Sequence, residues 1–319
     1  MHAAVLHALG EAPRYEDFAD PVAADGEGMV EVLAAALKPV DKQIAAGTHY
    51  ASPRKLPAIC GTDGVGRLSD GRRVFFAGAR SPYGTMADRA AVRTMFTFPI
   101  PDNLSDETAA AIVNPGVSAW LTLAYRAKLA KDDNVLILGA TGVTGKLAIT
   151  IAKLLGARRV VAAGRNRKAL ATLHELGADA TIELDLAGDE VFQRFAHEAG
   201  KTGFQVVIDY VWGAPAEAFL KAITRTEFAA AESETRYVQV GESAGASISL
   251  PAAVLRSRPI TIMGTGGIPP GNLLTETLQK VMEHAASGEL QVETERVPLS
   301  EIELVWEREP RGRRFVVIP

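Results

Sequence analysis

The sequence predicts an α/β protein in which a doubly wound parallel sheet is inserted into a barrel-like β domain. Three observations carry this reading. Residues 134–179 run through an apolar strand, a glycine-rich turn, a helical stretch and a second apolar strand. Strand and helix patterns then alternate through six strands, which implies a parallel sheet covered on both faces. Ahead of that unit, glycines and prolines cut residues 1–100 into short β pieces, which favours a compact β domain over helices. At 319 residues the chain exceeds one typical core, so two domains are expected.

The early β pieces include 29–34, 72–76 and 85–92. Gly26, Gly28, Gly61, Gly64, Gly66, Gly71, Gly78 and Gly84 punctuate them, with Pro39, Pro53, Pro57 and Pro82. From 106 to 125 the pattern turns helical. Ser105 is placed to cap the run DETAAAIV, and Pro115 divides two helical pieces. Strands are predicted at 135–138, 159–163, 180–183, 205–209, 236–240 and 260–263, and helices at 143–155, 167–176, 189–199, 215–223 and 251–256. A helix over 273–286 leads to β-like segments at 291–298 and 313–318, with a short helix between them. This tail is expected to return to the first domain. The β domain then comprises 1–115 and 268–319, and the inserted domain 116–267. Arg311, Arg313 and Arg314 stand near Glu307 and Glu309 and predict a solvated, charge-paired surface.

The turn after the first strand of the inserted domain is suited to a dinucleotide. Gly142 and Gly145 take the second and third glycine positions of G-x-G-x-x-G, with Ala140 in the first. Gly142 lets backbone approach a pyrophosphate, and Gly145 lets the helix pack on the strand. Thr141, Val143 and Thr144 complete the turn, and the helix start offers free N–H groups to the phosphates. The end of the next strand selects the cofactor. An Asp or Glu there would bond the ribose 2′-hydroxyl of NAD. This chain instead has Gly164, Arg165, Asn166, Arg167 and Lys168, and Arg165 lies twenty residues beyond Gly145. A guanidinium grips a 2′-phosphate bidentately, so NADPH is expected over NADH, with Arg167 and Lys168 either joining Arg165 or facing water. Ligands bind outside the carboxyl ends of such strands. That nominates Tyr210 and Val211, then Gly241, Glu242 and Ser243, then Gly264 to Gly267.

Composition excludes several classes. A net charge of −4 gives no electrostatic case for nucleic acid or an anionic membrane. The longest apolar runs fall short of a membrane span, and Lys146 and Lys153 interrupt the best of them. The N-terminus lacks the pattern of a signal peptide, which makes a cytoplasmic setting the expectation. The single cysteine, Cys60, excludes an internal disulfide and reads as a small buried apolar residue. The six histidines fall at no metal-ligand spacing.

Read whole, the chain resembles the medium-chain dehydrogenases/reductases, and within them the zinc-independent quinone oxidoreductases. The resemblance rests on KPVDKQIAAGTHY (38–50), LPAICGTDGVGRL (56–68), GRRVFF (71–76), YGTMADRAAV (83–92), AAAIVNPGVSAWLTL (109–123), ATGVTG (140–145) and AKLLGA (152–157). It implies a Rossmann doubly wound sheet inserted in a GroES-like β-barrel-type catalytic domain. It also implies a homodimer, for which the apolar edge strand 260–263 is the candidate pairing surface. The zinc alcohol dehydrogenases of this family place a Cys near Pro39–Val40 and a His where Thr62 stands, and carry a four-cysteine zinc lobe. None of these is present, so no metal is expected.

The resemblance implies hydride transfer from the nicotinamide to a quinone or an α,β-unsaturated carbonyl, with the acceptor in a cleft between the domains. Lys38, Asp41, His49 and Tyr50 in one segment, and Asn114 and Ser118 in another, are the residues expected to face it. Tyr50 matches a tyrosine common near the substrate in such enzymes; it is either a hydrogen-bond donor to a carbonyl or a packing aromatic. Lys38 stands where many relatives have Asn and is either a cationic donor or a surface residue; Asp41 is cast as an orienting group. The loops near 38–55, 80–84, 210–245 and 265–275 are expected to shape the pocket. Two competing readings are a reductase of enoyl thioesters and a non-catalytic NADPH-binding sensor.

Overall fold

A computed structural model describes residues 1–224, 233–267, 269–310 and 312–319. Arg311, residue 268 and part of the 210–245 loop segment lie outside the described residues. The chain divides into two compact units, Met1–Asn114 with Leu278–Pro319, and Pro115–Thr277.

The first unit begins with β1 (His2–Leu6), β2 (Arg14–Asp17), β3 (Glu27–Leu37), helix α1 (Pro39–Ala46), β4 (Ala58–Ile59), β5 (Asp63–Leu68), β6 (Arg73–Ala77), β7 (Arg89–Arg93) and β8 (Thr97–Pro99). A small sheet has the order β2-β1-β4. In the larger sheet β3 is the spine: it pairs antiparallel with β5 and β7 along its first half and with the C-terminal strand along its second. Gly64 and Gly66 sit inside β5 and do not interrupt it. A Cβ on Gly66 would lie 2.4 Å from the Glu31 carbonyl oxygen, so the closeness of β3 at its bulge requires glycine there. Helix α1 has no apolar period to announce it. Pro39 occupies its first turn, and the Asp41 carboxylate accepts the Lys38 backbone N–H at 2.8 Å.

Helix α2 (Asp106–Trp120) starts at Ser105, whose hydroxyl accepts the Thr108 N–H at 3.2 Å. Pro115 does not divide it. The helix continues past the proline and passes into a π-helical turn at Leu121–Arg126.

The second unit alternates β9 (Asn134–Leu138), α3 (Val143–Leu154), β10 (Arg159–Gly164), α4 (Arg167–Leu170), β11 (Ala180–Glu183), α5 (Gly188–Ala199), β12 (Val206–Asp209), α6 (Gly213–Ile223), β13 (Thr235–Gln239), α7 (Ala252–Ser257) and β14 (Ile260–Gly264). All the strands are parallel, in the order β11-β10-β9-β12-β13-β14. Every residue of β9 is buried, as a central strand covered on both faces must be. The direction of winding reverses between β9 and β12, and the crevice at their carboxyl ends is where such sheets take ligands. The helix predicted over 167–176 is shorter. Thr172 bonds its hydroxyl back to the Ala169 carbonyl at 3.0 Å, and a 3₁₀ turn follows at Leu173–Leu176.

Helix α8 (Leu273–Ala286), β15 (Thr294–Pro298), α9 (Ile302–Trp306) and β16 (Arg314–Ile318) close the chain, and β16 pairs with β3 in the first unit's large sheet. The solvated, charge-paired surface expected here is corrected at Arg314. It points inward from β16, is buried, and donates from Nη1 to the Leu37 carbonyl at 3.3 Å. Arg313 does pair at the surface, with Glu295 at 3.3 Å.

Candidate active site

The dinucleotide turn is held from below. Gly139 and Ala140 both donate backbone N–H groups to the Ala163 carbonyl at 2.9 Å, which ties the turn to β10. Gly142 is the N-cap of α3, so the helix start faces the turn. The glycines have separate causes. A Cβ on Gly145 would stand 2.4 Å from the Gly139 carbonyl oxygen, and one on Gly164 would stand 2.6 Å from the Thr141 methyl. Those two are required by the protein's own packing. Gly142 is different: its Cβ would meet only the Gly139 carbonyl oxygen, at an ordinary 3.5 Å, and its φ of −76° suits any residue. What a side chain at 142 would fill is the space over the turn, where a pyrophosphate needs bare backbone.

At the end of β10, Arg165 is exposed, and no ion pair or hydrogen bond engages it among the described residues. Its neighbours are spoken for in part. Asn166 caps α4 by accepting the Ala169 N–H at 3.1 Å, and the Arg167 guanidinium faces Glu183 at 3.9 Å. Lys168 is exposed.

The crevice wall beyond β12 is fixed by Asp209, which sequence reasoning missed. Its buried carboxylate accepts the backbone N–H groups of Val211 at 2.8 Å and Trp212 at 2.9 Å, and the Tyr237 hydroxyl donates to its other oxygen. Burial raises its pKa, against the opposing pull of these bonds. The anchored chain carries Trp212 at φ 55°, ψ −158°, a conformation that costs a non-glycine residue about 1–3 kcal/mol. Asp209 and the 6.1 Å edge-on packing of Trp212 on Tyr237 hold it there. Tyr210 and Val211 thus stand beside Gly139, and Ser243 donates to the Tyr210 carbonyl at 3.3 Å. Gly241 has no room for a Cβ, which would lie 2.7 Å from that same carbonyl oxygen, whereas none of the described residues crowds a Cβ on Gly264, and Glu242 is exposed. The signal for Asp209 was an acid ending the apolar run Val206–Asp209.

The β unit brings together Lys38, Asp41 and Asn114 and adds three residues not foreseen as a group: Thr62, Asp63 and Arg314. The Lys38 ammonium donates to the Ala36 carbonyl at 2.9 Å and forms ion pairs with Asp41 Oδ2 at 3.2 Å and Asp63 Oδ1 at 3.3 Å. Burial opposes its charge, but the two carboxylates outweigh burial and hold its pKa above the ordinary lysine value. Asn114 donates to Asp63 Oδ2 at 2.8 Å. The Thr62 hydroxyl lies 3.0 Å from Asp41 Oδ1 and 2.9 Å from Asp63 Oδ2, and its N–H donates to Asp41 Oδ1 at 3.1 Å. Burial pushes the Asp63 carboxyl above the usual carboxylate range, with the neighbouring Asp41 charge adding to it and Lys38 opposing. Burial also lowers the Arg314 pKa, against the pull of Asp41 and Asp63. Lys38, Asp41 and Asp63 are nearly inaccessible; Thr62 is half-buried.

Asp41 and Thr62 line a cavity of about 300 Å³ in this unit, whose other walls include Ile44, Ile59, Cys60 and Tyr83. Burial, with help from Asp41, pushes the Cys60 thiol up to about 12, so it remains protonated and unreactive at neutral pH. Tyr50 is outside this cluster. It is 97% exposed and stacks on His49 with ring centroids 4.0 Å apart. Ser118 lines a smaller cavity of about 140 Å³ in the second unit, with Thr122, Tyr125, Arg126 and Thr265.

Residues 143–287 match the family of zinc-binding dehydrogenases. The chain is 29% identical over 229 residues to a probable NADPH-dependent quinone reductase of Emericella nidulans, covering 68% of this chain and 63% of that protein. It is 29% identical over 282 residues to a phenolphthiocerol/phthiocerol polyketide synthase of Mycobacterium tuberculosis, covering 82% of this chain but 12% of the synthase. Among solved structures, the quinone oxidoreductase of Thermus thermophilus, also known in complex with NADPH, superposes with a TM-score of 0.81 at 27% identity over the full length of both chains. The Escherichia coli quinone oxidoreductase complexed with NADPH gives 0.83 at 22% identity, covering all of both chains.

Proposed function

We propose, from the premise that this chain belongs to the medium-chain dehydrogenase/reductase superfamily and its quinone oxidoreductase branch, that it is a zinc-independent, NADPH-dependent reductase of quinones or α,β-unsaturated carbonyls. One observation carries the cofactor half: Gly142 is a glycine the fold does not need, at a helix N-terminus, with exposed Arg165, unpaired among the described residues, ending the next strand. The turn residues 140–145 would receive the pyrophosphate on backbone N–H groups, and Arg165 the 2′-phosphate. Val211 and Gly241 would border the crevice. NADPH, when bound, supplies a hydride to the acceptor.

The donor set supports the metal-free reading. Asp41 and Asp63 are compensated by an ammonium, and Thr62 offers a hydroxyl where a zinc enzyme would place an imidazole. Lys38 is read as a counter-ion that positions the two carboxylates, since its buried ammonium is held between them and the Ala36 carbonyl. Tyr50, being exposed, is the candidate donor from the 47–55 loop. An enoyl-thioester reductase is the second reading, and the match to the polyketide synthase favours it. A homodimer paired along the open edge of β14 and a cytoplasmic setting belong to the same proposal. Among the described residues, no helix is long and apolar enough to cross a membrane.

The test is a screen of NADPH and NADH oxidation by chelator-treated protein against quinones, enones and enoyl thioesters. Turnover with NADPH and a quinone or enone is expected. A flat trace with every acceptor would leave only a binding role, and dependence on added zinc would overturn the metal-free reading.

A further inference from the structure

A hydroxyl has one hydrogen, yet Thr62 Oγ is within bonding distance of two carboxylates, Asp41 Oδ1 at 3.0 Å and Asp63 Oδ2 at 2.9 Å. It can donate to one. The second contact becomes a full hydrogen bond only if that carboxylate is protonated and donates to the Thr62 oxygen. The surroundings decide which is which. Asp41 accepts two backbone N–H groups, from Lys38 and Thr62, besides the ammonium. Asp63 has the Asn114 amide on Oδ2, while Oδ1 makes no hydrogen bond and faces only the ammonium at 3.3 Å. Asp41 is therefore the better-stabilised anion and Asp63 the better site for a proton. The charged groups facing this trio are Lys38, from the start of α1, and Arg314, from β16. Thr62 alone of the three is half-buried, and it lines the 300 Å³ cavity.

We propose that Asp63, Thr62 and Asp41 hold one shared proton, and that the Thr62 hydroxyl delivers it to the acceptor oxygen in the adjoining cavity. The delivery rests on the reductase reading above. An acceptor that has gained a hydride, one hydrogen with two electrons, carries the excess charge on oxygen. The Thr62 O–H bond breaks as a bond from that hydrogen to the acceptor oxygen forms. The Asp63 O–H bond breaks in turn and its proton restores the Thr62 hydroxyl. Asp63 is left a carboxylate and regains a proton from solvent by way of Thr62, which lines the cavity. The only reductant is the nicotinamide.

Infrared spectroscopy of the full chain tests the proton without any acceptor. At neutral pH the wild type should show a protonated-carboxyl band that shifts in D₂O and disappears in Asp63→Asn. No band, or a band that survives in Asp63→Asn and so belongs elsewhere, such as Asp209, overturns the proposal. Turnover tests the delivery. Thr62→Val should lower kcat by about 10²–10⁴-fold at little-changed KM, and make the rate rise as pH falls, while Thr62→Ser restores it. A Thr62→Val variant with wild-type kcat and pH profile overturns the delivery. A wild type that has the band but turns over no acceptor overturns the reductase reading, and the delivery with it, while the infrared result stands on its own.

Discussion

The dinucleotide turn and the buried cluster of the β unit are both polar sites, but they are made of different material. The turn is backbone: the start of α3 and glycines, with the Arg165 guanidinium, unpaired among the described residues, nearby. The cluster is side chain: Lys38, Asp41, Asp63 and Arg314, four ionisable groups almost shut off from water. A backbone site leaves the fold nearly indifferent to its ligand. A side-chain cluster is part of what holds its unit together, because a buried charge without its partner is costly. Substitutions in the two regions should therefore fail differently, one in binding and the other in stability.

The largest effect is expected at Lys38. Lys38→Met leaves Asp41 and Asp63 without their ammonium and should cost about 3–5 kcal/mol in urea unfolding. A loss under 1 kcal/mol would mean that the cluster does not depend on that charge. Next comes Gly145→Ala. Its Cβ cannot fit against the Gly139 carbonyl oxygen at 2.4 Å, so about 1–3 kcal/mol of stability should go along with the cofactor. Gly142→Ala sharpens the comparison within the turn itself. Stability should stay within about 0.5 kcal/mol of wild type, since only an ordinary contact is made, while NADPH affinity falls. Equal NADPH affinity in that variant would remove the reason given for this glycine.

A further effect is in pH dependence. Asp63 titrates above its usual 3.8 in the fold, so the folded state holds that proton more tightly than the unfolded chain. Its contribution is full below about pH 4 and is lost as pH rises through the raised value. Asp209 is shifted in the same direction, and Lys38 enters only in alkali. Comparing wild type with Asp63→Asn isolates Asp63: the stability difference should move against the wild type as pH rises from 4 to 7. A difference independent of pH over that range would contradict the raised value.

The same contrast explains what could be read in the chain. The inserted unit announces itself locally: β9, β10, β11 and β12 fall within a residue of their apolar runs, and the turn between β9 and α3 is spelled by Ala140, Gly142 and Gly145. Such sites depend on neighbours in sequence. The β-unit cluster does not. Asp41 meets Thr62 across 21 residues, Asp63 meets Asn114 across 51, and Arg314 reaches Leu37 across 277. No periodicity links them, so Lys38 read equally as donor or surface residue, Thr62 as a missing ligand, and Arg314 as part of a charge-paired surface. Asp209 was hidden for the opposite reason: it closes an apolar strand so regular that only its last residue is out of pattern.

The most direct test of the central claim, that this chain is built to use NADPH, is calorimetric titration of wild type and Arg165→Ala with NADPH and NADH. The account predicts tighter binding of NADPH by the wild type, and a loss of about 1.5–3 kcal/mol for NADPH alone in the variant, roughly ten- to a hundred-fold. Equal affinity of the wild type for both nucleotides, or an unchanged NADPH affinity in Arg165→Ala, would contradict it.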